Sequence, residues 1–343
     1  MSPVPRSEAI VGFAHGSSHF GAVLFSRQVA DTGSGAPRSA NPGEDFGPAH
    51  EPVMVEEVLE ALSPSPGAVV VDGTMGQGGH SLALIERIAP GGTLIGFEWD
   101  PAMLAIAQVR IGDPRGVKVE FVSDDFREIP RYLFRTGRTA DAILLDLGLN
   151  TGQVLDPKRG FSFAHDAPLD MRMDRGRGEP ASAVLNRMSP VQIEDMLRDY
   201  GDEKWARAIA KKIVEVRKSR PLTTTFDLVE CVLAAIPKGA REKRIHPATR
   251  TFQSVRAYVN RELQGLEEAL GAMAEALSPQ GVLAVISYHS GEDRIVKHAF
   301  RSLEATERFE SITRKPRTPS ASEVERNPRS RSAKLRAVRR LLP

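Results

Sequence analysis

Between residues 50 and 148, short apolar runs alternate with segments whose apolar residues recur at helical spacing. Residues 51–62 predict a first helix, because their apolar side chains fall on one face. Four apolar runs then predict buried strands, over 68–72, 93–100, 117–126 and 141–148. Amphipathic segments separate these runs, and Pro101 stands at the start of one of them. This alternation is typical of an α/β fold with a doubly wound, mostly parallel sheet and crossover helices.

The pattern changes after the fourth predicted strand. Residues 149–180 are rich in Gly, Asp, Arg and Pro, and the chain is then helical in pattern to about residue 260. A strand pattern returns only at 281–290, after a long amphipathic helix. The simplest interpretation is one α/β domain that carries an inserted helical subdomain. The predicted division is a disordered leader (1–48), the first part of the α/β domain (49–150), a loop and helical insert for substrate recognition (151–260), the second part of the domain (261–313) and a basic C-terminal segment (314–343).

Composition narrows the class of protein. No apolar run in the 343 residues is long enough to span a bilayer, so a soluble protein with no membrane partner is expected. Cys231 is the single cysteine, which excludes an internal disulfide and fits a reducing cytoplasm. The eight histidines lack the spacing of metal ligands, and no metal site is expected.

Charge is uneven although the net charge is only +2. From Arg314 to Arg340 the chain has ten Lys or Arg and two Glu, which indicates contact with nucleic acid or a solvated, partly disordered tail. Two more basic groups lie in the helical insert. They comprise Lys211, Lys212, Arg217, Lys218 and Arg220, and then Lys238, Arg241, Lys243, Arg244 and Arg250. Phosphate contact and a solvated helix face both explain such groups.

The stretch VVVDGTMGQGGHS, residues 69–81, places four glycines within seven residues directly after a buried strand. Such glycines indicate that a ligand approaches the backbone closely. The dinucleotide fingerprint G-x-G-x-x-G is imperfect here, because Ser81 stands where the third glycine should be. A tight turn without a ligand is the alternative.

Polar residues end each predicted strand, where ligands bind in open parallel sheets. Glu98 lies 19 residues after Gly79, which is the right place for a carboxylate that grips both hydroxyls of a ribose. The same logic serves S-adenosylmethionine, which has a ribose but no phosphate. Asp125 and Phe126 would then offer polar and stacking contacts to adenine, and Asp146 would lie near the methionine end.

Four later motifs carry a resemblance to a known family. They are DAILLDLGLNTGQVLDPKRGFSFAHDAPLDMRMD (141–174), HPATRTFQSVRAYVNREL (246–263), ISYHSGEDRIVK (286–297) and NPRSRSAKLRAVRR (327–340). All four resemble the MraW, or RsmH, family of bacterial enzymes that methylate the exocyclic N4 of a cytidine in small-subunit (16S) ribosomal RNA. The resemblance runs from about His50 to about Arg340.

The resemblance implies a class I S-adenosylmethionine-dependent methyltransferase fold with a helical insert, and S-adenosylmethionine as the cofactor. Its implied partner is small-subunit ribosomal RNA, within the assembled small ribosomal subunit. DNA is not expected as a partner, and the enzyme is expected in the cytoplasm. A homodimer is possible. The family's donor contacts fall on Gly78, Gly79, His80, Glu98, Phe126, Asp146 and Gln153.

This chain departs from the family pattern at three places. Glu98 stands where the family usually has Asp, and Asn150-Thr151-Gly152-Gln153 replaces Ser-Ser-Pro-Gln. Tyr288 and Gly291 replace the Phe and Leu of Ser-Phe-His-Ser-Leu-Glu-Asp-Arg. The changes lie closer to the expected acceptor than to the donor, so they bear on the target more than on the reaction class.

Methylation of an exocyclic amine needs positioning more than a strong base, because the amine lone pair is delocalised into the ring. Asp146 and Asn150 are the candidate hydrogen-bond acceptors for the amine, and Asn150 has the alternative role of a turn residue. His289 could line the base pocket or relay a proton, or it could be a hydrogen-bonded structural residue.

The loop between the fourth strand and the insert offers further candidates. Phe161 and Phe163 could stack on the base, although packing under the loop is the favoured interpretation. Asp170 and Arg172 are predicted to pair and hold the loop.

Two other functions stay open at this point. One is a methyltransferase of the same fold with a different acceptor, DNA or a protein amine; the residues after Asp146 disfavour DNA, because they lack the two prolines and the aromatic residue of the DNA amino-methyltransferase loop. The other is an RNA-binding ribosome assembly factor that holds S-adenosylmethionine without turnover. The departures at 150–152 and Gly291 are the features that favour it, and measured turnover would separate it from both methyltransferase interpretations.

Overall fold

The computed structural model describes residues 51–149, 153, 156–242 and 245–342. The predicted leader, the candidate catalytic residue Asn150 and two residues of the second basic group, Lys243 and Arg244, lie outside the described residues.

Seven strands form one sheet with the order β3-β2-β1-β4-β5-β7-β6. Their bounds are β1 (Val69–Asp72), β2 (Thr93–Phe97), β3 (Lys118–Val122), β4 (Ala140–Asp146), β5 (Leu277–Ser287), β6 (Phe309–Ser311) and β7 (Lys334–Arg340). The first five strands pair in parallel, and β7 runs antiparallel to both β5 and β6. The predicted doubly wound, mostly parallel sheet is therefore confirmed.

Twelve α-helices lie in the described part of the chain. They are α1 (Val55–Leu62), α2 (Gly79–Ile88), α3 (Pro101–Ile111), α4 (Ile129–Arg135), α5 (Ala181–Arg187), α6 (Pro190–Gly201), α7 (Ala206–Arg217), α8 (Thr225–Ala235), α9 (Thr249–Val259), α10 (Leu266–Glu275), α11 (Ser290–Glu304) and α12 (Ala321–Arg326). None of these described helices has the length and apolar content needed to cross a bilayer.

Helices cover both faces of the sheet. Successive residues of a strand point to opposite faces, so neighbouring residues enter different cores. Val70 and Leu144 join α1, α2 and α3 in one apolar core. Val71 and Leu145 join α4, α10 and α11 in a second core on the other face. Burial on both faces explains why these strands are apolar runs without polar alternation.

The predicted helical insert comprises helices α5 to α9, which enclose a third apolar core. Cys231 is buried in this core, and burial raises the pKa of its thiol to about 11. The loop before the insert belongs to the same core through Leu169 and Met171.

The fifth strand lies earlier than the sequence pattern predicts, at Leu277–Ser287 instead of 281–290. His289 is the N-cap of α11, in a capping box with Glu292, and this cap turns the chain out of the sheet. Polar residues at the end of an apolar run therefore belong to a helix start and not to the strand.

For the described residues, the interpretation of the C-terminal segment as a solvated, partly disordered tail is wrong. Strand β7 buries Leu335, Ala337 and Val338 within the sheet. Most basic side chains of this segment contact the rest of the protein. The ion pairs are Arg317–Glu60, Arg326–Glu51, Lys334–Asp293, Arg336–Asp293 and Arg339–Glu310.

Candidate active site

A cavity of about 370 Å³ lies at the carboxyl ends of β1, β2, β4 and β5. The residues that follow these strands line it, together with Gln253 and Arg256 of α9. This volume is within the range of small-molecule sites, and the position is where open α/β sheets bind ligands. Of the predicted site residues, Gly79, His80, Glu98, Phe126, Asp146, Gln153 and His289 line the cavity.

The glycine loop has two separate reasons for its glycines. Gly76 has φ 54° and lines the cavity, so its backbone faces a ligand without a side chain in the way. Gly78 does not line the cavity; it is the N-cap of α2 with φ 81° and packs near Ala107 and Ile111. The predicted ligand contact of Gly78 therefore stays a prediction, and its left-handed backbone conformation is one that glycine adopts without strain.

Glu98 follows β2, and two backbone N–H groups fix its carboxylate. Gly76 donates to Oε2 at 2.8 Å and Asp100 donates to Oε1 at 2.7 Å. Burial raises the pKa of Glu98 to about 7, against these two hydrogen bonds. An oriented carboxylate at the end of the second strand fits the predicted grip on a ribose.

The end of β3 places an aromatic ring at the cavity, as predicted. Phe126 lines it, and the Arg127 guanidinium lies 4.5 Å from the centre of the ring. Asp125, however, caps the following turn and pairs with Arg127 at 2.8 Å, whereas Asp124 lines the cavity. Because Asp124 and Asp125 are adjacent, the sequence pattern alone does not show which of them lines the cavity.

Asp146 ends β4 and has three polar neighbours. Its backbone N–H donates to Thr74 Oγ1 at 2.6 Å, Tyr288 donates its hydroxyl to Oδ1 at 2.8 Å, and His80 Nδ1 lies 3.7 Å from Oδ2. Burial raises the pKa of Asp146 to about 6, and the charge of His80 and the Tyr288 hydrogen bond oppose this shift. A carboxylate with such a pKa is ionised in most molecules at neutral pH and can accept hydrogen bonds there.

His289 lines the cavity and caps the start of α11. Its Nδ1 accepts from the Glu292 N–H at 3.3 Å, and its Nε2 lies 3.1 Å from Glu292 Oε1. These contacts favour the structural role over that of a proton relay. Burial raises the pKa of Glu292, but the His289 hydrogen bond and charge outweigh burial and leave this pKa below its usual range.

Glu262, His289 and Glu292 bring potential metal ligands within 4.8 Å of one another. Each already has a partner in the protein, because Arg256 donates two hydrogen bonds to Glu262, at 2.9 and 2.7 Å, and His289 contacts Glu292. Ion pairing inside the wall of the cavity accounts for this cluster.

Gln153 lines the cavity and connects the first strands to the loop that precedes the insert. Its amide donates to Asp100 Oδ2 at 3.0 Å, and the same oxygen accepts from Arg159 Nη1 at 2.5 Å. Asp100 and Arg159 are both buried, and Arg159 also donates to the carbonyls of Arg172 and Met173. This buried ion pair holds the loop against the end of β2.

Phe161 and Phe163 pack under the loop, as the favoured interpretation had it. Phe161 is buried in the core of the insert. Phe163 stacks on His246 with ring centres 4.7 Å apart and contacts Phe252 edge to face. The predicted pair of Asp170 and Arg172 is present, with an N–H···O distance of 2.7 Å.

The two basic groups of the insert are only partly free to meet a polyanion. Arg220 pairs with Asp227 and Glu230, Arg250 pairs with Glu242, and Lys212 pairs with Glu215. Arg217 and Arg241 donate to backbone carbonyls. Among the described residues, Lys211, Lys218 and Lys238 are exposed and form no ion pair.

Several residues that line the cavity were not predicted from the sequence, because they come from distant segments. Gln253, Arg256 and Glu262 arrive from α9 and the turn after it, and Arg329 arrives from the C-terminal segment. The signal that could have found the first three is the motif HPATRTFQSVRAYVNREL, which contains all of them. Trp99 also lines the cavity, directly after Glu98.

Comparison with known proteins adds the family. A family model described as the MraW methylase family matches residues 48–341. A ribosomal RNA small subunit methyltransferase H from Geobacter sp. is 44% identical over 314 residues, which cover 87% of this chain and 100% of the relative. The protein of the same name from Syntrophotalea carbinolica is 46% identical over 308 residues, 85% of this chain and 98% of the relative. The solved structure of an rRNA methylase from Streptococcus thermophilus aligns with 84% of this chain and 94% of its own, at 13% identity and a TM-score of 0.37.

Proposed function

The chain belongs to the MraW methylase family, and on this premise we propose that it is an S-adenosylmethionine-dependent methyltransferase that methylates the exocyclic N4 of a cytidine in small-subunit (16S) ribosomal RNA. The observation that carries the proposal is one cavity that holds both halves of such a site. Glu98 and Phe126 line it at the ends of β2 and β3, Asp146 lines it at the end of β4, and Arg256 of the insert lines it too.

The residues present fit S-adenosylmethionine. The Glu98 carboxylate has a fixed orientation and can accept from ribose hydroxyls, and Phe126 offers an apolar ring edge or face to adenine. Gly76 and Gly79 keep the backbone open toward the methionine part, beside His80 and Gln153. When bound, S-adenosylmethionine supplies an electrophilic methyl group.

The acceptor half of the site must hold an amine in line with that methyl group. Asp146 can accept a hydrogen bond from the amine, which orients the nitrogen lone pair toward the donor. Asp146 also remains close enough to receive the proton that the amine loses after transfer. The chemistry requires no covalent intermediate with the enzyme, and Cys231 is buried in the core of the insert, away from the cavity.

The target base must leave its stack to enter the cavity, as bases do in other enzymes that modify them. Gln253, Arg256 and Arg329 also line the cavity and carry hydrogen-bond donors for the base or its phosphate. The helical insert would recognise the surrounding RNA, with Lys211, Lys218 and Lys238 as the phosphate contacts.

The natural substrate would be the assembled small ribosomal subunit in the cytoplasm, and neither DNA nor a membrane would be a partner. A structured particle offers the insert an extended surface to grip. The test compares transfer of labelled methyl groups to small subunits, to free 16S RNA, to large subunits and to duplex DNA. Label in small subunits above all others is expected; label in DNA or in copurifying protein would overturn the proposed acceptor. A donor that binds without any transfer would instead favour an assembly factor.

A further inference from the structure

Tyr288 and Asp146 meet at the carboxyl ends of two neighbouring parallel strands. Asp146 ends β4 opposite Ile286 of β5, and Tyr288 lies two residues after Ile286, directly after the end of β5. The Tyr288 hydroxyl donates to Asp146 Oδ1 at 2.8 Å, and both residues line the cavity.

The Tyr288 ring has little freedom to move away from this contact. Its edge packs on Gly148, where a Cβ atom would lie only 3.3 Å from the ring and where φ is +115°. Its backbone N–H donates to Glu292 Oε2 at 2.8 Å, at the start of α11. The hydroxyl is therefore directed at Asp146 by the loop after β4 and by the cap of α11.

The charged groups around Asp146, together with burial and the Tyr288 hydrogen bond, determine how readily this carboxyl ionises. His80 on α2 faces Oδ2, Asp72 on β1 and Glu292 on α11 contribute like charge, and burial disfavours the ionised carboxylate. The Tyr288 hydroxyl is a hydrogen-bond donor to Oδ1 that favours the ionised form. A phenylalanine would leave the ring packing intact and would remove this donor.

We propose that Tyr288 is a positioning residue for methyl transfer: its hydrogen bond to Oδ1 holds Asp146 as an oriented carboxylate and leaves Oδ2 to accept the hydrogen bond of the acceptor amine. The inference rests on the proposed function, in which Asp146 acts as that acceptor. It assigns to the hydroxyl a task that ring packing alone does not perform.

The test is the pH dependence of kcat/KM for small subunits in the wild type and in Tyr288→Phe, with S-adenosylmethionine saturating. Loss of the hydrogen bond raises the pKa of Asp146, and activity is lost as pH falls through that pKa. The acid limb of Tyr288→Phe should therefore move to higher pH by about one unit, which at pH 6 is roughly a fivefold loss. The affinity for S-adenosylmethionine should change less than about twofold, which also shows that the variant is folded.

A matched control comes from the same fold. Tyr132 donates its hydroxyl to Glu120 at 2.8 Å, outside the cavity, so Tyr132→Phe removes the same kind of hydrogen bond from a carboxylate that has no part in the reaction. Its acid limb should coincide with that of the wild type. An unmoved limb in Tyr288→Phe as well would overturn the positioning role.

Asp146→Asn separates this inference from the proposed function. If the wild type transfers methyl groups, Asp146→Asn does not, and the limb of Tyr288→Phe is unmoved, only the inference fails. If Asp146→Asn keeps wild-type activity, the role of Asp146 fails and the inference falls with it. If the limb moves in Tyr288→Phe alone, the inference is supported.

Discussion

His80 Nδ1 lies 3.7 Å from Asp146 Oδ2, and His80 Nε2 donates a hydrogen bond to the Val53 carbonyl at 2.9 Å. Because a carbonyl oxygen only accepts, Nε2 carries a hydrogen, and the Nδ1 side of the ring faces the carboxylate. The segment before α1 and the start of α2 thus fix the surroundings of Asp146. This arrangement makes Asp146 the residue on which the proposed chemistry depends most.

Replacing Asp146 by Asn should lower kcat by at least about 100-fold, because an amide accepts a hydrogen bond more weakly than a carboxylate and takes up no proton. The fold should persist, since Asn has the same shape and can still accept from Tyr288. Methyl incorporation into small subunits measures the loss, and circular dichroism checks the fold.

Asp141→Asn is the control for that change. Asp141 lies at the other end of β4 and accepts from the Val69 N–H at 2.8 Å, far along the strand from the cavity. It should retain near-normal kcat. Equal losses in both variants would show that the Asp146 effect is structural.

Affinity for S-adenosylmethionine should rise with pH through about 7. Burial raises the pKa of Glu98 to about 7, so its carboxyl is largely protonated below that pH, whereas ribose hydroxyls donate best to the ionised form. Binding should therefore release protons near pH 7. Titration calorimetry in buffers of different ionisation enthalpy measures both the affinity and the proton count.

Two substitutions at Glu98 sharpen this prediction. Glu98→Gln should weaken binding by about tenfold or more and abolish the pH dependence, because the charge-assisted hydrogen bonds are lost. Glu98→Asp keeps the carboxylate that the family usually has and should stay within a few-fold of the wild type. A wild-type affinity that is constant from about pH 6 to 8 would contradict the role of Glu98.

Removing one partner of the buried Asp100–Arg159 pair should destabilise the protein strongly. Arg159→Met leaves the Asp100 carboxylate buried beside Gln153 without its cation, and such a loss costs about 3–5 kcal/mol of unfolding free energy. Urea unfolding followed by circular dichroism measures the change.

The matched control is Arg115→Met, which breaks the exposed pair with Glu86. Exposed pairs contribute little, so its unfolding curve should nearly coincide with that of the wild type. If Arg159→Met were as stable as this control, the buried pair would not be what holds the loop to β2.

Lys211→Ala and Lys218→Ala should each weaken binding to small subunits without a change in stability. Each lysine that contacts a phosphate contributes about one to the slope of log affinity against log salt concentration. Arg115→Ala, on the α/β domain, should leave that slope unchanged. Binding measured at several salt concentrations decides the point, and an unchanged slope in both lysine variants would show that neither Lys211 nor Lys218 contacts a phosphate.

Much of the fold was predictable, because burial of a strand or a helix determines where its apolar residues recur along the sequence. Strands β1 and β4 lie between two cores, and their apolar runs follow directly from that position. The helical insert was predictable because it buries its own core. Strand β7 was not predicted. Its sequence KLRAVRR places buried Leu335 and Ala337 at alternate positions, but its four basic residues are also typical of a solvated tail.

The site was predictable to the extent that strand ends converge at one edge. Glu98, Phe126 and Asp146 follow three different strands and line one cavity, as expected for parallel strands. The hydrogen bond between Tyr288 and Asp146 was not predictable, because it depends on the register of two strands whose residues are 142 positions apart. Likewise, the presence of ten basic residues near the C-terminus did not reveal that five of them pair with acidic groups elsewhere.

The most direct test of the central claim is nucleoside analysis after methyl transfer. Small ribosomal subunits from a strain that lacks this enzyme are incubated with the protein and labelled S-adenosylmethionine, and their RNA is digested and separated. The account predicts labelled N4-methylcytidine with the wild type and none with Asp146→Asn. Label in any other nucleoside, or no label while the donor still binds, would contradict it.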